Sequence, residues 1–120
     1  MEERINYLRE NDIDIDSSLE LLGDIETYND ILATFIEESD KRMLRIKENK
    51  EKGNMSDYAI DVHALKSDSK YLGFKKLAEI SLNHELKSKE NDIEYVNDNY
   101  DELINEYNHI RSIVDKYMEG

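Results

Sequence analysis

The sequence predicts an all-α protein, an antiparallel up-down four-helix bundle preceded by short N-terminal helices. Three observations favour this fold class. The 120-residue chain has no proline and only four glycines, so residues that break helices are nearly absent. Apolar residues recur at helical spacing through the segments between Ile25 and Met118. The connections between these segments are short, which favours antiparallel neighbours.

Two short elements precede the predicted bundle. We expect a helix over about Glu2–Glu10, an extended link over Asn11–Asp16 and a helical turn over Leu19–Leu22. Asp16 or Ser17 is the expected cap of that turn, because short polar side chains accept hydrogen bonds from the free N–H groups that begin a helix. The sequence leaves open whether the first helix caps the bundle or swings free of it.

Four longer helices follow, separated by glycine or by capping residues. They are predicted at about Ile25–Glu51, from Asn54 or Ser56 to Gly73, at Phe74–Glu90, and from Asn91 or Asp92 to Met118. Gly53 and Gly73 stand where a helix commonly ends in a left-handed residue. We therefore predict one domain over residues 1–120, with residues 1–23 as the N-terminal helices and cap and residues 24–118 as the bundle.

The net charge of the chain limits the classes of partner that it is expected to bind. The formal net charge is −13, and both nucleic acid and anionic membrane surfaces are bound by clustered Lys and Arg. We therefore predict a protein partner, with no nucleic acid and no membrane. The chain has no cysteine, no visible secretory signal and no apolar run long enough to span a bilayer, so a cytoplasmic location is expected. Tyrosines and aliphatic residues on the outer helices suit either a core or a dimer interface.

A metal site is not predicted. Asp12, Asp14 and Asp16 have the spacing that opens a calcium loop. Ser17 and Gly23, however, stand where that loop needs its glycine and its final glutamate. We expect neither a metal nor a cofactor.

His63 is the residue most suited to chemistry. At about 100° per residue it lies at the border between solvent and the core stripe of its helix. That stripe is Tyr58, Val62, Leu65, Ser69 and Leu72, and the side chains around His63 are Ala59, Ile60, Lys66, Ser67 and Lys70. A neutral imidazole is nucleophilic near neutral pH, and Lys66 and Lys70 would offset the charge of a phosphorylated ring. A lone histidine in this position is otherwise most often a boundary residue without a role.

The following helix offers a partner for the imidazole. If Gly73–Phe74 is a tight turn between antiparallel helices, His63 lies opposite His84 and Glu85. A carboxylate there would accept the Nδ1 hydrogen, fix the tautomer and leave Nε2 as the nucleophile, as in catalytic triads. Glu85 is the candidate. The alternative is a solvated surface acid.

The segment from His63 to Gly73, HALKSDSKYLG, resembles the signature of histidine-containing phosphotransfer (HPt) domains. That signature is His-x-Leu-Lys, then small residues, then an aliphatic residue and Gly. The resemblance covers about residues 12–117, because Leu21–Phe35 is similar to the family's first bundle helix and its approach. Leu77–Leu86 is similar to the helix after the motif.

The resemblance implies a phosphoryl group on His63, with Lys66 beside it. It also implies that Gly73 closes the helix and that a receiver domain docks over this face. The expected docking residues are Ala59, Ile60, Ser67, Lys70 and Gly73. In some relatives a glutamate or glutamine of the next helix contacts the histidine, and Glu85 has the matching spacing.

Two residues depart from the family pattern. Many relatives have glycine directly after the lysine, where this chain has Ser67, which is small enough to preserve docking. Asp68 is an acid where small residues are common. At about 100° per residue it points well away from His63, so we expect it not to repel a phosphoryl group.

Basic residues concentrate near the motif of this acidic chain. Lys66, Lys70, Lys75 and Lys76 lie within it or just after it. Receiver domains share an acidic, magnesium-binding active site, and a basic patch would complement its charge. For Lys75 and Lys76 a merely solvated face is an equal alternative.

The predicted function is that of a phosphorelay intermediate in two-component signal transduction. His63 would accept a phosphoryl group from a sensor or hybrid histidine kinase, or from a receiver aspartate, and pass it to a response-regulator receiver. The chain has no ATP-binding or kinase motif, so we expect a phosphoryl carrier rather than an enzyme. The alternatives are a non-catalytic helical binding module or scaffold for a receiver, or the phosphoacceptor domain of a longer kinase.

Overall fold

The chain forms six α-helices in a computed structural model that describes residues 2–120. They are α1 (Glu2–Glu10), α2 (Ile15–Leu22), α3 (Ile25–Lys52), α4 (Met55–Leu72), α5 (Lys75–Lys89) and α6 (Ile93–Glu119). The described residues contain no strand, so the predicted all-α class is confirmed. Among these helices, none is both long enough and apolar enough to cross a membrane.

Two of the predicted helix caps are confirmed. Asn54 and Asp92 each accept a hydrogen bond from a backbone N–H in the first turn of α4 and α6, and Asp24, for which no cap was predicted, does the same for α3. Gly53 and Gly73 end α3 and α4 in the left-handed conformation. These contacts satisfy backbone groups that a helix end leaves free.

The prediction for α2 is wrong. The helix begins at Ile15 rather than Leu19, and its cap is Asp14, whose carboxylate accepts a hydrogen bond from the Ser17 N–H at 3.2 Å. The expected extended link is a tight connection, in which Ile13 N–H donates to the Leu8 carbonyl at 3.0 Å. Ile13 and Ile15 are buried, so packing overrides their strand-like alternation with aspartates.

The core lies between α3, α4, α5 and α6. Helix α3 packs on α4, α4 on α5 and α5 on α6, and α6 also contacts α3. Phe35 of α3 packs edge to face on Phe74, with 5.5 Å between the ring centroids. The buried Tyr28 hydroxyl donates to the Leu72 carbonyl at 2.7 Å, which provides the polar partner that a buried tyrosine needs.

Helix α1 docks on the end of α6. Arg4 Nη2 donates to the Tyr117 carbonyl at 2.7 Å, and Leu8 is fully buried. The guanidinium thereby satisfies a carbonyl in the last turn of α6 and places a cation at the negative end of the helix dipole. Of the two arrangements left open for the first helix, the structure shows the docked one.

Gly73 joins α2 to the turn between α4 and α5. Asp14 N–H donates to the Gly73 carbonyl at 3.0 Å, and Gly73 has a φ of +83°. A Cβ at this position would lie 2.6 Å from the Asp14 carbonyl oxygen. Glycine is thus required both by the backbone conformation and by the close approach of α2.

Gly73→Ala is expected to lower the free energy of unfolding by more than about 2 kcal/mol, since a left-handed non-glycine residue costs about 1–2 kcal/mol and the clash with Asp14 adds to it. Gly53→Ala is the matched control, because Gly53 has a φ of +69° but its Cβ would meet only Ile93, at 4.0 Å. Urea denaturation measures both. Equal losses in the two variants would contradict the close-approach argument.

Candidate functional site

His63 lies on α4 with a ring that is half exposed and held from one side. Its side chain is 56% exposed, and Nδ1 lies 2.7 Å from Oε2 of Glu85. Because an ionised carboxylate can only accept, Nδ1 carries the hydrogen and donates it. No hydrogen bond among residues 2–120 engages Nε2. In the neutral form of the ring this hydrogen bond leaves the lone pair on Nε2, which has no hydrogen-bond partner among the described residues.

Glu85 is a buried anion, not the solvated acid that the sequence left open. Its side chain is 3% exposed, and Lys66 and Lys89 donate to its two oxygens at 2.8 Å each. Burial raises the pKa of Glu85, but the hydrogen bonds from Lys66, Lys89 and His63 outweigh it and lower the pKa to about 2. The carboxylate therefore stays charged at neutral pH and is held in place by three donors.

Lys66 is positioned between the carboxylate and the ring. Its Nζ lies 3.3 Å from Nδ1 of His63. An ammonium group can only donate, and an Nδ1 that carries a hydrogen cannot accept, so this contact is electrostatic. Lys66 thus places a positive charge beside the Nδ1 side of the ring, and its role in stabilising a phosphoryl group stays a prediction.

Lys89 is the site residue that the sequence reasoning missed. It lies four residues after Glu85 on α5, and its ammonium group shares Oε2 of Glu85 with His63. A glutamate four residues before a lysine is the favourable order for an ion pair on a helix. That spacing was a usable signal once Glu85 had been chosen.

His84 lies in the core rather than beside His63. Its Nε2 donates to the Asn99 carbonyl of α6 at 3.0 Å, so its Nδ1 accepts from the Tyr58 hydroxyl of α4 at 2.8 Å. Burial lowers the pKa of His84, although the Asn99 carbonyl opposes this effect. Of the two residues predicted opposite His63, the structure brings only Glu85 into contact with it.

The residues predicted to dock a partner divide between two grooves. Ala59 and Ile60 line a groove of about 590 Å³ together with His63 and Glu85, and Ile60 is 67% exposed. Lys70 and Gly73 line a second groove, of about 500 Å³, between α2 and the α4–α5 turn. Ser67 is partly buried on α4. The docking roles of these five residues stay predictions.

The basic residues near the motif are mostly paired with acids. Lys75 lies 2.9 Å from Asp14, and Lys76 lies 3.8 Å from Glu106. Asp68 binds Arg42 of α3 at 2.7 Å. Among residues 2–120, no three acidic or histidine side chains are arranged to hold a metal ion.

A comparison with protein families matches the part of the chain that contains the site. The model of the Hpt domain matches residues 30–113, which include His63, Lys66, Glu85 and Lys89. The chain therefore belongs to the Hpt domain family, whose members serve histidine phosphotransfer in two-component signalling, and the predicted resemblance is confirmed. Neither the search of curated proteins nor the search of solved structures found a match.

We expect the nitrogen spectrum of ¹⁵N-labelled protein to show His63 protonated at Nδ1 at neutral pH. Glu85→Ala removes the acceptor 2.7 Å away and should release the ring into a mixture of tautomers. Glu79→Ala, an exposed acid of the same helix, is the control and should leave the His63 signals unchanged. An identical His63 spectrum in Glu85→Ala would contradict the assigned tautomer.

We expect stability to fall as the pH drops from about 7 to about 5, partly through His84. Its pKa in the fold lies below the ordinary 6.5, so the unfolded chain binds more protons in this range. The contribution is complete above the unfolded pKa and is lost as the pH falls toward the folded one. Glu85 acts at lower pH, since its pKa falls from 4.5 to about 2.

Urea denaturation at the two pH values measures this effect in the wild type and in His84→Gln. The other two histidines are present in both proteins, so the difference in slope isolates His84. A variant with the same loss of unfolding free energy as the wild type would refute the assignment.

Proposed function

We propose that this chain is a phosphorelay intermediate, which accepts a phosphoryl group on Nε2 of His63 and passes it to the aspartate of a response-regulator receiver. The observation that carries the proposal is the hydrogen bond of 2.7 Å from Nδ1 to buried Glu85, on a ring whose other nitrogen faces no partner within residues 2–120. This arrangement selects the tautomer that makes Nε2 the nucleophile.

The surrounding side chains suit a carrier. Lys66 lies close enough to the ring to offset the charge of the phosphoryl group. The groove beside His63 and the exposed Ile60 offer a partner an apolar contact next to the nucleophile. The energy of transfer stays in the exchanged bond, so we propose a carrier that needs no nucleotide and is not itself a kinase.

The partners follow from the same chemistry. We propose a response-regulator receiver and a sensor or hybrid histidine kinase, in the cytoplasm, as the sources and acceptors of the phosphoryl group. Ala59 and Ile60 are the first docking residues to test, since they share the groove with His63. Ser67, Lys70 and Gly73 would extend that surface along α4.

We further propose that residues 1–120 are one domain in which α3 to α6 form an antiparallel up-down bundle. In two of the helix pairs, the polar contacts join successively earlier residues of one helix to successively later residues of the next. The contacts are Arg45 with Asp61 and Arg42 with Asp68 between α3 and α4, and His84 with Asn99 and Lys76 with Glu106 between α5 and α6. This pattern supports an antiparallel arrangement.

The direct test is the intact mass of the protein after incubation with a phosphorylated receiver and magnesium. The wild type should gain one phosphoryl group that is lost in acid, whereas His63→Gln should gain none. His109→Gln is the matched control, because His109 is an exposed histidine of α6 outside the site.

An unchanged mass would contradict the carrier proposal. If several receivers and a small phosphoramidate donor all leave the wild-type mass unchanged, the carrier proposal fails. Binding of a receiver without any transfer would then identify the chain as a non-catalytic docking module.

A further inference from the structure

We infer that Glu85 keeps the hydrogen on Nδ1 of His63 after Nε2 has taken the phosphoryl group, so that the phosphorylated ring is a short-lived phosphoimidazolium. The inference rests on the proposed function and deepens it. It concerns how long the chain holds its phosphoryl group and how readily it gives the group up.

The geometry keeps the carboxylate beside Nδ1. Oε2 lies 2.7 Å from Nδ1, and Lys66 and Lys89 anchor the two oxygens at 2.8 Å. Turning Glu85 away from the ring would break at least one of these ion pairs inside a site where the carboxylate is buried. Attachment of a phosphoryl group at Nε2, on the opposite side of the ring, leaves the hydrogen bond at Nδ1 intact.

The charges around the ring favour the protonated form. Helix α4 contributes Lys66, and α5 contributes Glu85 and Lys89. On the side of α4 that faces α3, the charged groups are paired with each other, as Arg42 with Asp68 and Arg45 with Asp61. Glu85 is therefore the anion in direct contact with the ring among the described residues.

Phosphorylation strengthens this preference. An opposite charge within about 4–6 Å favours the charged form of a group by about 1–3 pKa units. Lys66 and Lys89 oppose that effect in the free carrier, but Lys89 is 61% exposed and therefore well hydrated. A phosphoryl dianion on Nε2 adds a second negative charge next to the ring, and this charge also favours the protonated form.

The transfer step balances without moving the Nδ1 hydrogen. In the forward step the lone pair of Nε2 forms the N–P bond while the O–P bond of the donor breaks and returns its electron pair to the donor aspartate. The ring then carries the positive charge and the phosphoryl group two negative charges. In the onward step a carboxylate oxygen of the receiver aspartate forms the new O–P bond while the N–P electrons return to Nε2, and the ring leaves as neutral imidazole, still hydrogen-bonded to Glu85.

Loss of the Nδ1 hydrogen would make the onward step much harder. The ring would then have to leave as an imidazolate anion, which is a far poorer leaving group than neutral imidazole. A carboxylate that retains the hydrogen therefore favours transfer to a receiver or to water at neutral and mildly basic pH. A neutral amide in its place would favour storage.

The test measures the half-life of phosphorylated protein between about pH 6 and pH 10. The protein is phosphorylated with phosphoramidate, freed of the donor and followed by intact mass. Glu85→Gln should lengthen the half-life at pH 8 by about tenfold and move the pH of half-maximal lability down by about one unit. Glu79→Gln, on an exposed position of the same helix, should match the wild type.

Lys89→Met is the second variant and should move the profile the other way. Removing a cation from Glu85 leaves more negative charge at Nδ1, so the phosphorylated ring should stay labile to higher pH. Lys89 is largely exposed, which makes this variant the decisive one if Glu85→Gln fails to fold or to accept a phosphoryl group.

The outcomes separate the two proposals. If the wild type takes up no phosphoryl group, the proposed function fails. If all variants are phosphorylated and their half-lives share one pH profile, the carrier proposal stands and the inference on Glu85 is overturned.

Discussion

A buried histidine, together with the apolar residues of its helix, fixes the rotation of α5 about its own axis. His84 bridges the Tyr58 hydroxyl of α4 and the Asn99 carbonyl of α6, so a single side chain ties three helices together. Because consecutive residues of a helix lie about 100° apart, burial of His84 turns the next side chain, Glu85, to the edge of the core beneath His63. The site is thus a consequence of how the core packs.

The features of this molecule that could be predicted are those that depend on the spacing of residues along the chain. The spacing from Gly73 placed His84 and Glu85 opposite His63, and of these two residues Glu85 makes the hydrogen bond. The start of α2 was missed because Ile13 and Ile15 alternate with aspartates like a strand, whereas burial of both against the bundle decides their conformation. The spacing of four residues from Glu85 to Lys89 indicates an ion pair, but the place of Lys89 in the site depends on the burial of Glu85, which that spacing does not show.

The charges around Glu85 allow an acidic chain to keep a buried carboxylate beside His63. In a chain with a net charge of −13, other acids repel a buried carboxylate, yet Glu85 lies next to the imidazole. Lys66 and Lys89 resolve this conflict locally, since each donates to Glu85. Burying a charge is costly unless its hydrogen-bonding capacity is met, and here three donors meet it. The result is an anion whose position and charge are both fixed.

The contact between Gly73 and Asp14 has a consequence for where the unit begins. The Hpt model starts at residue 30, whereas the backbone of Asp14 closes on the α4–α5 turn and Arg4 covers the end of α6. The segment that the family pattern detects is therefore shorter than the segment that packs together. A substitution that moves the backbone of Asp14 therefore also moves the α4–α5 turn, because the two are joined by a backbone hydrogen bond. Asp14 lies outside the residues that the family model matches, so the match does not mark it as part of this unit.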